Sequence, residues 1–352
     1  MGLKKRPTKR RPNKPKQCNS KTKKSTSKVL NKNPKPVSVT RTSIPVRSYE
    51  HCHDRFLTYS EIRDFLQKMT TNYPEKIKVV IVGHSSEGKP IYLAKISELS
   101  TEEPKMATLV EAGSDGTDWM AVSSALYLIS FLTKNNSYTK IMDYLILPCS
   151  NPDAYHYSIS NCKSAKASIT MSLSNNFPLT LGLNDVTSQR TEGVLLGIKK
   201  WKENFKFGSP ETLALIKTIT AHQFSVKLFI SLQEEGEKIV YPFGFCKENV
   251  VDYEELKAVA KSGQTAVKCR CLQIGSVINL CGLTYGTVID FLRTNQRAVK
   301  FTYILHLRVK KKKPESRNII SCGNDVLNCV RAMARNVFMH YKKFEDNKRC
   351  TS

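Results

Sequence analysis

The sequence lacks the hydrophobic and cysteine patterns that mark membrane proteins, secreted disulfide-rich proteins and zinc ribbons. It contains no apolar run of about 18 residues, so neither a membrane span nor a membrane partner is expected. Its N-terminus has no apolar segment of the kind that follows the charged residues of a secretory signal. The 11 cysteines are odd in number and include no Cys-x-x-Cys pair, which argues against a disulfide framework or a zinc ribbon.

Two common catalytic motifs are also missing. The chain has no Gly-x-Ser-x-Gly elbow, the turn that presents the nucleophile of α/β-hydrolases. It has no glycine-rich loop of the P-loop type, which would cradle nucleotide phosphates. The chemistry of this chain therefore has to be sought in other residues.

Acidic residues are nearly absent from the first 50 positions. That stretch has 16 Lys and Arg but only one acid, Glu50, and so contributes +15 of the formal net charge of +26. Because it also has few large apolar residues, burial cannot offset the entropy of folding, and we expect residues 1–47 to be a disordered basic arm. Besides a solvated tail, the arm is compatible with a nuclear-import signal or with nucleic-acid binding through phosphates. We therefore expect a nuclear or cytoplasmic protein.

Residues 48–345 carry the alternating strand and helix patterns of a folded domain. Thr58 and Glu61 form a capping-box pattern, and apolar residues recur after them at helical spacing. Strands are predicted at 78–82, 90–96, 106–111, 144–147, 226–232 and 299–307, and further helices at 120–132, from Ser209, at 253–267 and at 326–341. This alternation predicts a single α/β domain with a mixed, mostly parallel central sheet flanked by helices. In such a sheet, functional residues follow the carboxyl ends of strands.

Short motifs along the domain, in consistent order, carry a resemblance to a known family. They are Leu57-Thr58-Tyr59-Ser60-Glu61-Ile62, Gly83 to Ile91, Glu111-Ala112-Gly113 with Trp119, Asn151-Pro152-Asp153-Ala154-Tyr155, Asn176-Phe177-Pro178, Ser209-Pro210-Glu211-Thr212 and Tyr241-Pro242-Phe243-Gly244-Phe245. With these motifs the domain resembles the zinc metallocarboxypeptidases of the carboxypeptidase A/B type. The resemblance implies that family's fold and, by default, zinc-dependent hydrolysis of a C-terminal peptide bond.

The resemblance also implies where the zinc site falls, and there the residues differ from the family's. The histidine, glutamate and second histidine ligands fall on Asp115, Asp118 and Gln233, and the catalytic glutamate falls on His306. A neutral amide is a poor zinc ligand beside imidazole, and a base is of little use without a metal-activated water. We therefore expect no intact catalytic site and no cofactor, with zinc implied by family resemblance alone.

The substrate-binding positions carried over from the family have also changed. The pair that grips the terminal carboxylate falls on Ser174 and Asn175, neither of which supplies the charge of an arginine. The mobile tyrosine falls near Gly282, and the residue lining the specificity pocket falls on Ile289.

Three interpretations of the altered site remain open. In the first, Asp115, Asp118 and Gln233 are drifted polar residues on a partly wet cleft floor, bonded to backbone or water. In the second, the cleft still holds a peptide C-terminus or a protein partner without cleaving it. In the third, a metal site is rebuilt. Asp115 and Asp118 with His306 would suit zinc, iron or manganese, and with Gln233 they would suit magnesium or calcium.

We expect a carboxypeptidase-fold pseudoenzyme that binds a peptide C-terminus or a protein partner. One alternative is an active zinc carboxypeptidase, for which the family resemblance would imply secretion. The other is a nucleic-acid or chromatin binder that works through residues 1–47. The enzyme would be indicated if two of the histidines at 84, 156, 222 and 306 converged with an acid at a strand end.

Two further polar clusters are expected to be solvated. His51-Cys52-His53 lies at the edge of the domain and has no second pair of ligands nearby in sequence. Glu234 and Glu235 follow a predicted strand, and adjacent side chains in a loop point apart.

Overall fold

The computed structural model describes most of the domain. The described residues are 53–98, 105–160, 172–178, 199, 208–234, 236–268, 272–294, 299–307 and 315–351. All of them belong to the second of the two units into which the chain divides, Arg47–Ser352. The basic arm predicted at residues 1–47 lies outside the described residues, as do His51, Cys52 and Glu235.

The eight described strands form one sheet with a parallel centre. In chain order they are β1 (Ile77–His84), β2 (Pro90–Ile96), β3 (Ala107–Ala112), β4 (Asp143–Leu147), β5 (Val226–Gln233), β6 (Lys238–Tyr241), β7 (Gln273–Ser276) and β8 (Phe301–His306). Their order across the sheet is β1-β2-β4-β3-β5-β8-β6-β7. Strands β4, β3, β5 and β8 run parallel, and the pairs β1–β2, β2–β4 and β6–β8 are antiparallel. The predicted mixed, mostly parallel α/β sheet is therefore confirmed.

Eight α-helices occur in the described part of the chain. They are α1 (Tyr59–Asn72), α2 (Trp119–Lys134), α3 (Pro152–Ser160), α4 (Pro210–Ala221), α5 (Tyr253–Ala266), α6 (Val277–Cys281), α7 (Val288–Thr294) and α8 (Ile319–Thr351). Short 3₁₀ helices occupy Asn136–Tyr138 and Ser316–Asn318. None of these helices is long and apolar enough to cross a membrane.

The helices cover both faces of the sheet because successive strand residues point to opposite sides. Val110 and Ile230 belong to a core with α1, α2, α5 and α8, whereas Leu109 and Phe229 belong to a second core with α4 and α7. Burial on both faces explains why the sequences of these strands are mostly apolar and do not alternate between apolar and polar residues.

Helix α1 begins where its capping pattern predicts. The Thr58 hydroxyl accepts a hydrogen bond from the Glu61 N–H, and the Glu61 carboxylate accepts one from the Thr58 N–H at 2.8 Å. The apolar stripe that follows, including Ile62, Leu66 and Met69, is buried. The reciprocal cap and the stripe together position α1 on the sheet.

One of the motifs that carry the family resemblance, Asn151-Pro152-Asp153-Ala154-Tyr155, makes contacts that stabilise the fold. The Asp153 carboxylate accepts hydrogen bonds from the Ser85 hydroxyl at 2.7 Å and the Glu87 N–H at 2.9 Å, and it pairs with the Lys89 ammonium at 2.9 Å. It therefore ties the start of α3 to the turn between β1 and β2. The same motif supplies Tyr155, whose hydroxyl donates to a backbone carbonyl ahead of α1.

Candidate functional site

The carboxyl ends of β3, β5 and β8 form the edge at which the predicted site residues gather. These strands are neighbours in the sheet, and Gln233 at the end of β5 pairs in register with His306 at the end of β8. Asp115 and Asp118 lie in the turn that follows β3. The structure therefore brings four of the sequence-predicted positions to one edge, as expected for a parallel sheet.

Asp118 and Glu234 link the β3 turn to the end of β5. The Glu234 N–H donates to Asp118 Oδ1 at 3.1 Å, and the Glu234 carboxylate accepts from the Met120 N–H in the first turn of α2. Glu234 is therefore half-buried and caps α2, so the prediction that it is solvated was wrong. The prediction relied on Glu234 and Glu235 being adjacent in a loop, but Glu234 directly follows β5 and lies against the N-terminus of that helix.

The Asp118 carboxyl group is an unusual feature of this edge. Its residue is 6% exposed, and Oδ2 has no hydrogen-bond partner among the described residues. Burial raises the pKa of Asp118 well above its ordinary value, and the nearby Glu234 and Asp115 carboxylates raise it further. Asp118 is therefore more deeply buried than a residue on a partly wet cleft floor would be.

Asp115 stabilises its own turn. Its Oδ1 accepts hydrogen bonds from the Thr117 N–H at 2.8 Å and from the Thr117 hydroxyl at 2.7 Å. Its backbone carbonyl accepts from the Asp118 N–H at 3.1 Å. These bonds are typical of an aspartate that shapes a turn.

Gln233 and His306 are engaged with neighbouring protein groups. The Gln233 side-chain amide donates to the Ser231 hydroxyl at 3.3 Å. His306 Nδ1 lies 3.4 Å from the Glu234 carbonyl oxygen, and Nε2 lies 3.9 Å from the Cys281 sulfur. Burial lowers the pKa of His306 to about 4, so its imidazole is neutral at physiological pH.

A buried carboxylate beneath this edge was not singled out from the sequence. Glu111, at the end of β3, is 1% exposed, and its oxygens accept hydrogen bonds from the Ser150 hydroxyl and, at 2.6 Å, from the Ser231 hydroxyl. Burial raises its pKa despite both donors. The signal available in the sequence was an acid inside a mostly apolar strand. Serines near the ends of two neighbouring strands accompany it.

The predicted substrate clamp lies beside the β3 turn. The Ser174 hydroxyl is 3.3 Å from the Ser114 hydroxyl, and the Leu173 N–H donates to the Ser114 carbonyl at 2.9 Å. Asn175 is exposed next to this contact. The predicted clamp position therefore holds hydroxyl and amide groups beside this turn.

Gly282 and Ile289 occupy different environments. Gly282 ends α6 with φ of 87°, directly after Cys281, so it lies beside the His306 contact. Ile289 is 0% exposed and packs in the core with α4. Its neighbour Asp290 is also fully buried and accepts from the Gly244 N–H, and burial raises the pKa of Asp290 to about 7.

Donor atoms at the ligand positions implied by the family resemblance are engaged with protein groups. Asp118 Oδ1, Asp115 Oδ1 and the Gln233 amide each bond to a different protein group. Among the described residues no group of three or more His, Cys, Asp or Glu side chains is arranged to hold a metal ion. A zinc site needs three or four converging donors, of which a neutral amide is a poor one.

The described histidines other than His306 are exposed or contact other groups. His222 lies before β5, at the opposite end of the strand from Gln233, and its Nε2 is 3.0 Å from the Lys95 ammonium. His84 and His156 are exposed, on β1 and α3. His53, expected at the surface, is instead 2% exposed and packs edge-on against Tyr127, so that prediction was wrong.

Comparison of the sequence with known proteins identifies relatives along most of the domain. A sequence profile of the zinc carboxypeptidase family matches residues 62–328. Carboxypeptidase A1 of Mus musculus is 23% identical over 270 residues, which cover 71% of this chain and 62% of the relative. Mast cell carboxypeptidase A of Homo sapiens is 23% identical over 308 residues, covering 82% and 72%.

Solved structures share the fold. Bovine thrombin-activatable fibrinolysis inhibitor, in complex with tick carboxypeptidase inhibitor, aligns with a TM-score of 0.68 at 22% identity, covering 82% of this chain and all of that one. Carboxypeptidase A from Helicoverpa armigera aligns with a TM-score of 0.68 at 18% identity, covering 84% and 78%.

The extent of these matches decides what they establish. The chain spans 62% of the length of the carboxypeptidase A1 sequence, so activity and substrates do not transfer with the alignment. The profile nevertheless covers well over half of the 352 residues, across the central sheet and most of its helices. The chain belongs to the zinc carboxypeptidase family.

Proposed function

We propose that this domain is a non-catalytic member of its family that holds a peptide C-terminus without cleaving it. The observation that carries the proposal is the set of contacts at the ligand positions. Asp118 bonds to the Glu234 backbone and Gln233 to Ser231, where an active member would direct its ligands at zinc. Hydrolysis in this family depends on a metal-activated water and a carboxylate base, and neither is supported by these residues.

The competing proposal, an active zinc carboxypeptidase, requires a base at His306. The depressed pKa of His306 leaves it neutral, but its Nε2 contacts the Cys281 sulfur and its Nδ1 faces a backbone carbonyl. Removing a metal and its paired base typically costs many powers of ten in rate. The non-catalytic proposal therefore agrees better with the contacts of these side chains.

Binding is supported by polar groups at the clamp position. The Ser114 and Ser174 hydroxyls and the exposed Asn175 amide lie beside the β3 turn, and hydroxyl and amide groups can donate to a terminal carboxylate. Lys238 adds a cation near the strand ends: its positive charge acts on His306, and its ammonium donates to the Leu280 carbonyl at 3.1 Å. Without an arginine fork we expect modest affinity.

The test compares one fluorescent peptide with a free and an amidated C-terminus. We expect the free-carboxylate form to bind more tightly and to be recovered intact. Asn175→Asp should weaken that binding about tenfold, because two carboxylates would face each other. Asn72→Asp changes another exposed asparagine, at the end of α1, and should leave binding unchanged.

Two outcomes would contradict the proposal in different ways. Equal binding of the free and amidated peptides would remove the claim that a C-terminus is recognised. Recovery of a shortened peptide would remove the claim that the domain is non-catalytic.

A second proposal concerns the basic arm, on the strength of the 16 Lys and Arg in the first 50 residues. Such a charge favours nucleic acid or chromatin as a partner and residence in the nucleus or cytoplasm. Binding of nucleic acid to the full chain should weaken steeply as the salt concentration rises, and deletion of residues 1–47 should abolish that salt dependence. Salt-independent binding, or unchanged binding after the deletion, would refute this role.

A further inference from the structure

A cavity of about 420 Å³ lies at the amino end of β4. Its walls come from the 3₁₀ helix Asn136–Tyr138, from the start of β4 and from α5 and α8. The candidate functional site lies at the carboxyl ends of the parallel strands. At roughly 3.3 Å per residue, the two ends of β4 are ~13 Å apart. The cavity is therefore separate from the site described above.

Two arginines one helical turn apart line this cavity. Arg331 and Arg335 both lie on α8, so their side chains share one face of that helix. No carboxylate among the described residues forms an ion pair with either guanidinium. The wall of the cavity thus carries positive charge that the described part of the protein does not neutralise.

Arg331 is held in place by an aromatic side chain. Its guanidinium carbon lies 3.5 Å from the centroid of the Tyr138 ring, and that ring packs against Phe131 at 5.6 Å between centroids. A guanidinium stacked in this way keeps its N–H groups, which lie in its plane, available for hydrogen bonds. Fixing the side chain in advance reduces the entropy lost when an anion binds.

A buried phenol adds a neutral donor. Tyr144 is 3% exposed and lines the cavity. Burial raises the pKa of Tyr144 to about 12, although the charge of Arg331 opposes the rise. The hydroxyl therefore keeps its proton at neutral pH and can donate it to an acceptor. Asn328 contributes an amide to the same wall.

The rest of the lining is apolar. Ile141, Met142, Ala266, Ala332 and Ala334 face the same space. Cavities of roughly 300–1,000 Å³ that combine apolar walls with a few convergent polar groups are typical of small-molecule sites.

We propose that this cavity binds a small organic oxyanion, a carboxylate or phosphate ester with an apolar body. Arg331 and Arg335 pair with the anionic group, the Tyr144 hydroxyl donates to it, and the apolar wall takes the remainder of the ligand. Charge-assisted bonds from planar guanidinium groups suit both kinds of oxyanion. This site is independent of the function proposed for the strand-end cleft.

Calorimetric titration of the full chain tests the proposal, with benzoate, phenyl phosphate and inorganic phosphate as probes at about 150 mM salt. We expect one saturable site for at least one organic probe. Arg331→Gln and Arg335→Gln should each weaken it about tenfold or more. Tyr144→Phe, which keeps the ring and removes only the hydroxyl, should weaken it less.

Arg63→Gln is the matched control, because Arg63 is an exposed arginine on α1, away from the cavity. It should bind the probes as the unaltered protein does. Arg335 is exposed, so its replacement keeps the fold, which thermal unfolding verifies. Tighter binding of phenyl phosphate would assign phosphate esters as the ligand class, and tighter binding of benzoate would assign carboxylates.

Two results would overturn the proposal. One is the absence of saturable binding by either organic probe up to about 10 mM, where even a weak site of this class would show heat. The other is an equal loss of binding in Arg63→Gln and Arg335→Gln, which would reduce the effect to general attraction by a chain of formal charge +26.

Discussion

Replacing Asp118 by asparagine should stabilise the protein if the Asp118 carboxyl group contacts only protein groups and binds no metal ion. One oxygen accepts from the Glu234 N–H at 3.1 Å, and the other is buried without a partner among the described residues. Asparagine keeps the first bond, and its amide group can donate to the Glu234 carboxylate. A buried polar atom left without a partner costs about 1–3 kcal/mol, so Asp118→Asn should raise the free energy of unfolding by about 1–2 kcal/mol at neutral pH.

The pH dependence of this gain has a definite sign. Burial raises the pKa of folded Asp118, so the folded protein binds the proton more readily than the unfolded chain. Wild-type stability is therefore lost as the pH rises above the unfolded pKa of about 4. The advantage of Asp118→Asn should shrink as the pH falls towards that value and vanish below it, where the carboxyl group is protonated in both states.

Urea unfolding with added zinc, and again with a chelator, measures both effects. Asp64→Asn removes an exposed aspartate on α1 and should shift the free energy of unfolding by less than about 0.5 kcal/mol. Destabilisation by Asp118→Asn, together with stabilisation of only the wild type by zinc, would refute this prediction. That pair of results would identify Asp118 as a metal ligand.

Three further variants test the fold and its buried ionisable groups by urea unfolding. Burial raises the Asp290 pKa to about 7, so the free energy of unfolding of the wild type should fall as the pH rises from about 4 to 7, by about 4 kcal/mol in all. Asp290→Asn should not show this fall. Burial lowers the His53 pKa to about 4, so the wild type should also lose stability as the pH falls from about 6.5 to 4, and His53→Leu should not. Phe229→Ala, at a position that is 0% exposed, should cost about 3–5 kcal/mol, whereas Phe224→Ala, at 85% exposure, should cost almost nothing. A flat difference across pH, or equal costs for the two phenylalanines, would contradict these assignments.

The parts of the fold that could be predicted are those with a local signal. The reciprocal cap of Thr58 and Glu61 marks the start of helix α1, and mostly apolar runs mark β3 and β5. Strands β6 and β7 have four residues each, and helices α6 and α7 have five and seven. Segments of that length hold too few residues to show a period, so their structure depends on tertiary packing.

Site positions could be predicted, whereas their contacts could not. The expectation that residues after the strands meet at one edge follows from sheet geometry, and the structure has Asp115, Asp118 and His306 at that edge. That these residues form a functional site stays a prediction. The bond between Asp118 and Glu234 spans 116 positions, and no local pattern encodes such a separation. His53 was misjudged for the same reason, because the ring that covers it belongs to Tyr127 on α2.

Whether the strand-end residues can support zinc chemistry decides between a non-catalytic and an active domain. The most direct measurement is mass spectrometry of peptides incubated with the purified full chain, with added zinc and with a chelator. The contacts of Asp118 and Gln233 predict that every peptide keeps its C-terminal residue under both conditions. Zinc-dependent loss of that residue, abolished in Asp118→Ala, would contradict the account.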